Sequence, residues 1–142
     1  MTSATQLAAA LKPREADIQR TILAYLRRRR VLHWRNNTGA MKRGKGYVRF
    51  GERGLPDIFL VLPGTQGQLA AVEVKRKGER PTPEQNVMLM RFIKAGCVGA
   101  VVTDVRDVEI LLDACGWDTL YRSTLTSGRA SSRSCKLCGR EG

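Results

Sequence analysis

Residues 54–75 read Gly54-Leu55-Pro56-Asp57-Ile58-Phe59-Leu60-Val61-Leu62-Pro63-Gly64-Thr65-Gln66-Gly67-Gln68-Leu69-Ala70-Ala71-Val72-Glu73-Val74-Lys75. Two short apolar runs, 57–62 and 68–75, flank a turn-like Pro63–Gly67, so the segment predicts a β-hairpin. Each run carries charge where a buried strand should not. Asp57 opens the first, and Glu73 and Lys75 interrupt the second. Side chains two apart on a strand share a face, which sets Glu73 and Lys75 on one side and Val72 and Val74 on the other. Pairing the runs brings Asp57, at the start of one strand, beside Glu73, near the end of its partner. Two carboxylates and an ammonium then converge at the edge of an apolar sheet, a place suited to a divalent cation.

Outward from the hairpin the pattern alternates between helix and strand. Thr82-Pro83-Glu84-Gln85 predicts a helix start, with a threonine cap, an early proline and a glutamine three after the cap. That helix is expected to turn Val87, Met88, Phe92 and Ile93 inward and to stop at Gly96. A strand over Gly99–Thr103 and a helix over Val105–Cys115 follow. Upstream, Pro13 is expected to open a helix carrying Glu15 in its first turn. Ile18, Ile22, Tyr25 and Leu26 form its inner stripe, and Arg27–Arg30 suit its negative end. Val31–Arg35 reads as a strand, 36–54 as a turn-rich basic stretch with one short strand at Tyr47–Phe50. The whole predicts an α/β fold, a mixed central sheet flanked by helices.

The chain has 142 residues, with 25 Lys+Arg against 13 Asp+Glu and a net charge of +12. That length suits one domain, expected over 13–122, with a flexible N-terminus over 1–12 and a disordered basic Ser/Gly-rich tail over 123–142. So basic a small domain points to a polyanion. A membrane is the weaker reading, because no apolar run approaches the ~20 residues needed to span. The basic residues are also spread through loops and segment ends, so DNA and no membrane is the expected partner. Cys97 and Cys115 read as buried hydrophobes. Nothing marks the chain for export, so the expected location is cytoplasmic, in a bacterial or phage-infected host cell. Cys135 and Cys138 form half a zinc knuckle, short of the four ligands a structural zinc needs. His33 is the only histidine, which removes His-based catalysis and leaves packing beside Trp34 as its expected role.

Taken together, Glu15-Ala16-Asp17-Ile18-Gln19, Asn36-Asn37-Thr38-Gly39, Gly54-Leu55-Pro56-Asp57-Ile58, Glu73-Val74-Lys75 and Thr82-Pro83-Glu84-Gln85 resemble the PD-(D/E)xK nuclease superfamily. The resemblance is closer to its virus-type replication-repair nuclease (VRR-NUC) branch, and covers roughly residues 13–113. It implies a restriction-endonuclease-like core of a mixed four-stranded sheet with flanking helices. It also implies Mg²⁺- or Mn²⁺-dependent hydrolysis of DNA phosphodiesters, selectivity for branched DNA such as Holliday junctions, a role in DNA repair and assembly as a homodimer.

Under that resemblance Glu15, Asp57, Glu73, Lys75 and Gln85 are the expected catalytic residues. Asp57, Glu73, the Val74 carbonyl and Glu15 are the expected metal ligands, with Gln19 and Asn37 in support. Mg²⁺ keeps several waters and takes one or two carboxylates, which suits Asp57 and Glu73. Lys75 would orient or deprotonate water, or balance phosphate charge. Blander readings stand beside these. Pro56-Asp57 is ordinary turn chemistry, Glu73 and Lys75 could form a solvated face, the helix dipole alone suits Glu15, and a capping box alone explains Gln85.

Lys42, Arg43, Lys45, Arg49 and Arg53, with Tyr47 and Phe50 interleaved, suit phosphate contacts and stacking on an unpaired base. Arg76 and Lys77 extend the same field. The functional expectation is a metal-dependent DNA endonuclease. An end-dependent exonuclease or an RNA nuclease of the same fold, and a non-catalytic basic DNA-binding module, are its alternatives.

Overall fold

The computed structural model describes residues 12–115. Residues 1–11 and 116–142 fall outside it, and with them nearly all of the expected N-terminal extension, the tail and the Cys135–Cys138 pair. The elements run α1 Glu15–Arg28, β1 His33–Arg35, β2 Gly39–Arg43, β3 Gly46–Phe50, β4 Ile58–Val61, β5 Leu69–Val74, α2 Pro83–Lys94, β6 Val98–Val102 and α3 Val105–Ala114.

Four strands form the main sheet in the order β1-β4-β5-β6. β1–β4 and β4–β5 are antiparallel, β5–β6 parallel. The antiparallel centre is the hairpin expected from 57–75. The parallel edge follows because α2 crosses over between β5 and β6, as a parallel connection requires. One face of the sheet, carrying Ile58, Leu60, Val72 and Val74, packs against Ile18, Ile22 and Leu26 of α1 and Val108, Leu111 and Leu112 of α3. The other presents Phe59 and Ala71 to Leu89 and Phe92 of α2. Covered on both sides, β4 and β5 are near-continuous apolar runs. The expected α/β architecture with a mixed sheet and flanking helices is the one observed.

Several local expectations are corrected. Pro13 precedes the cap of α1 rather than opening the helix, and Arg14 holds the N-cap position without a side-chain bond. On α2 the buried residues are Met88 and Leu89. Val87 is exposed, and Ile93 lies at the rim. Ile93 nonetheless closes over Gly99, where a Cβ would sit 2.6 Å from its side chain, so glycine at 99 lets helix and strand approach. Cys115 is buried as expected, while Cys97 is only half-buried. His33 Nδ1 lies 2.7 Å from the Val31 carbonyl, and Trp34 stacks on Phe59 at 5.7 Å between ring centroids.

The largest correction concerns residues 36–54. Gly39–Arg43 is a strand, pairing with β3 in a two-stranded sheet of its own. Every residue of this hairpin is exposed, and neither strand packs on another helix or strand. It projects as an arm between β1 and β4. Its root is fastened. The Asn36 amide donates to the Asp57 carbonyl at 2.8 Å, and Asn36 Nδ2 donates to the Pro56 carbonyl at 2.6 Å.

Candidate active site

The site forms where β4 begins and β5 ends. Ile58 pairs with Val72, so the next position outward sets Asp57 against Glu73 on one face of the sheet. The Val74 amide donates to Asp57 Oδ2 at 2.8 Å, and the Gln19 side chain lies within hydrogen-bonding reach of the same carboxylate. The approach to Asp57 is set by Gly54. Its φ is +76°, and a Cβ there would lie 2.6 Å from the Glu84 carbonyl oxygen. Only glycine lets the Gly54-Leu55-Pro56 turn lie against the start of α2 in this conformation.

Glu73 is buried to 1% exposure and Lys75 to 7%. Lys75 Nζ sits 2.8 Å from Glu73 Oε1 and 3.5 Å from Glu15 Oε2. Glu15 reaches the ammonium from the first turn of α1, at the solvent rim. Glu73 Oε1 has the ammonium as its neighbour, while Oε2 has no hydrogen-bond partner. The buried Gln19 Oε1 is likewise without a partner. Buried acceptors are ordinarily satisfied, so Glu73 Oε2 and Gln19 Oε1, unpartnered in one corner, ask for a ligand.

The electrostatics agree. Burial pushes the Glu73 carboxyl up to about 7, against the pull of Lys75, with Asp57 and Glu15 adding repulsion. Burial also raises Asp57, although the Val74 amide, Lys75, Arg35 and Gln19 oppose it. Lys75 moves upward too. Burial works against its charge, but the pairing with Glu73 and the fields of Glu15 and Asp57 outweigh it.

These donors fit a hard divalent cation. Among the described residues no three acidic, histidine or cysteine side chains cluster closely enough to cage a metal alone. Mg²⁺ does not need such a cage. It takes one or two carboxylates and fills its shell with water and substrate oxygens, and Asp57 and Glu73 supply that number. Lys75 offsets one of the two carboxylate charges, and a cation would offset the other.

Other expected site residues lie elsewhere. Gln85 and Thr82 form the capping box, with Thr82 N donating to Gln85 Oε1 at 2.8 Å and Gln85 N to Thr82 Oγ1 at 3.3 Å. Asn37 is exposed, and Asn36 holds the Pro56–Asp57 peptide instead. Two adjacent asparagines gave no means of choosing between them. Arg35 was read only as a strand residue, yet it closes β1 opposite Ile58 and acts on Asp57. Lys42, Arg43, Lys45 and Arg49 are carried by the arm, and Arg53 lies between the arm and Asp57, all exposed. Arg76 makes a 3.6 Å ion pair with Glu79, and Lys77 is exposed.

No family model matches the chain, and no curated protein does. One solved structure, described as a VRR_NUC domain, is similar to it with a TM-score of 0.51 and 25% identity. The likeness covers 70% of this chain and 94% of that one. The described domain is therefore VRR-NUC-like, with a restriction-endonuclease-like fold.

Proposed function

We infer from this VRR-NUC-like domain and its carboxylate corner that the chain is a divalent-metal-dependent DNA endonuclease. The observation that carries the reading is the buried Glu73 carboxylate, set against Asp57 and paired on one oxygen by Lys75. A protein that only bound DNA through its positive charge would gain nothing from burying a carboxylate under a basic surface. Asp57 and Glu73, with the Val74 carbonyl, would hold Mg²⁺ or Mn²⁺. When bound, the ion supplies an activated water and neutralises charge on the phosphate.

The protein's own groups do the rest. The Val74 amide and Gln19 orient Asp57, so its free lone pairs face the site. Glu73, Glu15 and Asp57 raise the pKa of Lys75 in the metal-free site. With the ion bound, Lys75 would orient or deprotonate the attacking water, or balance charge on the phosphate. Glu15, at the rim, accepts hydrogen bonds from entering water and holds Nζ in place. Arg35, Arg53 and the arm cations bind the phosphates on either side. Gln85 steadies the site indirectly, by fixing the start of α2 against the turn at Gly54. Branched DNA is the substrate class we favour, and paired cuts across a junction would require a homodimer, since the described domain carries one such corner.

The test is a cleavage panel of linear duplex, single strand, flap and four-way junction, on open and circular DNA, each with Mg²⁺, Mn²⁺ or chelator. The reading expects divalent-dependent internal cuts that Asp57→Ala abolishes while DNA affinity is kept. Cutting only from free ends would make the enzyme an exonuclease. No divalent-dependent cutting of any form would leave a binding module.

A further inference from the structure

We propose that the β2–β3 arm is a stacking platform for an unpaired nucleotide strand next to the cut, with Tyr47 as the stacking residue. The proposal rests on the nuclease reading above and adds to it the chemistry of the substrate beside the site.

The register sorts the arm into two unlike faces. Met41 pairs with Val48, Gly39 with Phe50, Lys42 with Tyr47, and Ala40 with Arg49. Directly opposed residues share a face. One face therefore carries Met41, Val48 and Phe50 with Arg43, and the Phe50 ring closes over Gly39, 3.1 Å from where a Cβ would be. The other carries Lys42, Tyr47 and Arg49, with small Ala40 leaving the surface open. Tyr47 is 73% exposed, and a cation stands on either side of it. The two aromatic residues of the arm thus have different roles. Phe50 packs on the arm itself, while Tyr47 faces solvent.

A polyanion is the occupant the arm as a whole selects. Lys42, Arg43, Lys45 and Arg49 are four cations, and no acid lies between Asn36 and Gly51. An exposed ring between two cations matches a strand that offers a base face flanked by phosphates, since stacking tolerates any base. A paired duplex buries its base faces and could use only the charges. The arm's position ties it to the scissile phosphate. It leaves the sheet after Arg35 and returns at Asp57, and Asn36 bonds to the Pro56–Asp57 peptide. A five-residue strand extends ~17 Å, about five nucleotide steps along one strand. The unpaired segment should therefore lie within about five nucleotides of the cut.

The experiment uses the full chain carrying Asp57→Asn, so that binding is read without cutting. The probes are a fluorescent duplex and the same duplex with a five-nucleotide gap containing 2-aminopurine. The gapped probe should bind more tightly than the duplex and its 2-aminopurine should quench. Tyr47→Ala should weaken gapped binding by about tenfold more than duplex binding and abolish the quench, while Tyr47→Trp retains both. Equal losses on the two probes, or a quench that survives Tyr47→Ala, overturns the platform. Because Tyr47 touches no core residue, an unchanged thermal melt of Tyr47→Ala is expected, and the Trp variant guards the conclusion if that melt shifts. Cleavage by the chain with Asp57 restored is scored separately. Stacking without cleavage would sink the nuclease and keep the platform, and cleavage without stacking would do the reverse.

Discussion

The carboxylate corner and the β2–β3 arm break the patterning of a small domain in opposite directions. In the corner, Glu73 and Lys75 lie buried at the end of an apolar strand, where charge is disfavoured. In the arm, Met41, Tyr47, Val48 and Phe50 stand in solvent, where large apolar groups are disfavoured. The strands β4 and β5 beside them are otherwise apolar and covered on both faces. Departures of this kind concentrate at functional places, because a ligand supplies what the fold withholds. A cation would settle the corner, and a base would cover the arm. On the proposed reading, chemistry and strand recognition occupy separate structures joined by one short root.

The separation can be broken most sharply through activity. Glu73→Gln should lower the cleavage rate by about 10²–10³-fold or more, whereas Arg43→Gln on the arm should change KM and leave kcat within about tenfold. Initial rates on one labelled substrate decide this, and an arm variant that matched the kcat loss of Glu73→Gln would end the division of labour. Stability should divide the same way. Leu60→Ala, in the core, should cost ~2–5 kcal/mol, and Met41→Ala about 0.5 kcal/mol or less, both read from urea midpoints.

Proton linkage provides a third, smaller contrast. The folded protein holds its Glu73 proton up to about pH 7, where the unfolded chain releases it near the usual carboxylate value of 4.5. Protons are therefore bound more tightly in the folded state, and the metal-free domain should lose stability as pH rises through 4.5–7. Asp57 shifts the same way. The contribution of Lys75 persists below its ordinary value of 10.5 and does not act in that window. Melting temperatures from pH 5 to 8 should fall in chelator, flatten in Glu73→Gln and fall less in excess Mg²⁺, which binds only the folded site. A metal-free profile that rises with pH would contradict the burial of Glu73. The smallest effect belongs to the arm: Lys45→Gln should reduce the slope of log affinity against log salt by about 1 without altering the pH profile.

The corner was legible because its charges interrupt an otherwise apolar run, and period-two alternation then placed Asp57 and Glu73 on one face. The sheet followed from the same runs. β2 was missed for the converse reason. Gly39-Ala40-Met41-Lys42-Arg43 buries neither face, so no alternation betrays it, and only the pairing with β3 defines it as a strand. The inner face of α2 was misjudged at Val87 and Ile93 because apolar residues run nearly around the helix. The sheet covers only one arc, and Leu89 falls within it. The tether from Asn36 to Pro56 spans twenty positions, a contact that composition and spacing do not signal. Gln85 was marked both as a cap and as a site residue, and the contacts observed are those of the cap.

Arg35 and Ile58 are neighbours in the main sheet, and the β2–β3 arm between them is a detour. The sheet registers only the two ends of that detour. Lengthening a flexible connection twofold costs only ~0.6 kcal/mol in closure entropy. An insert of another length or sequence could thus replace the arm while Asn36, Gly54 and Asp57 keep their places, and on the proposed reading that exchange would change which DNA shape is met.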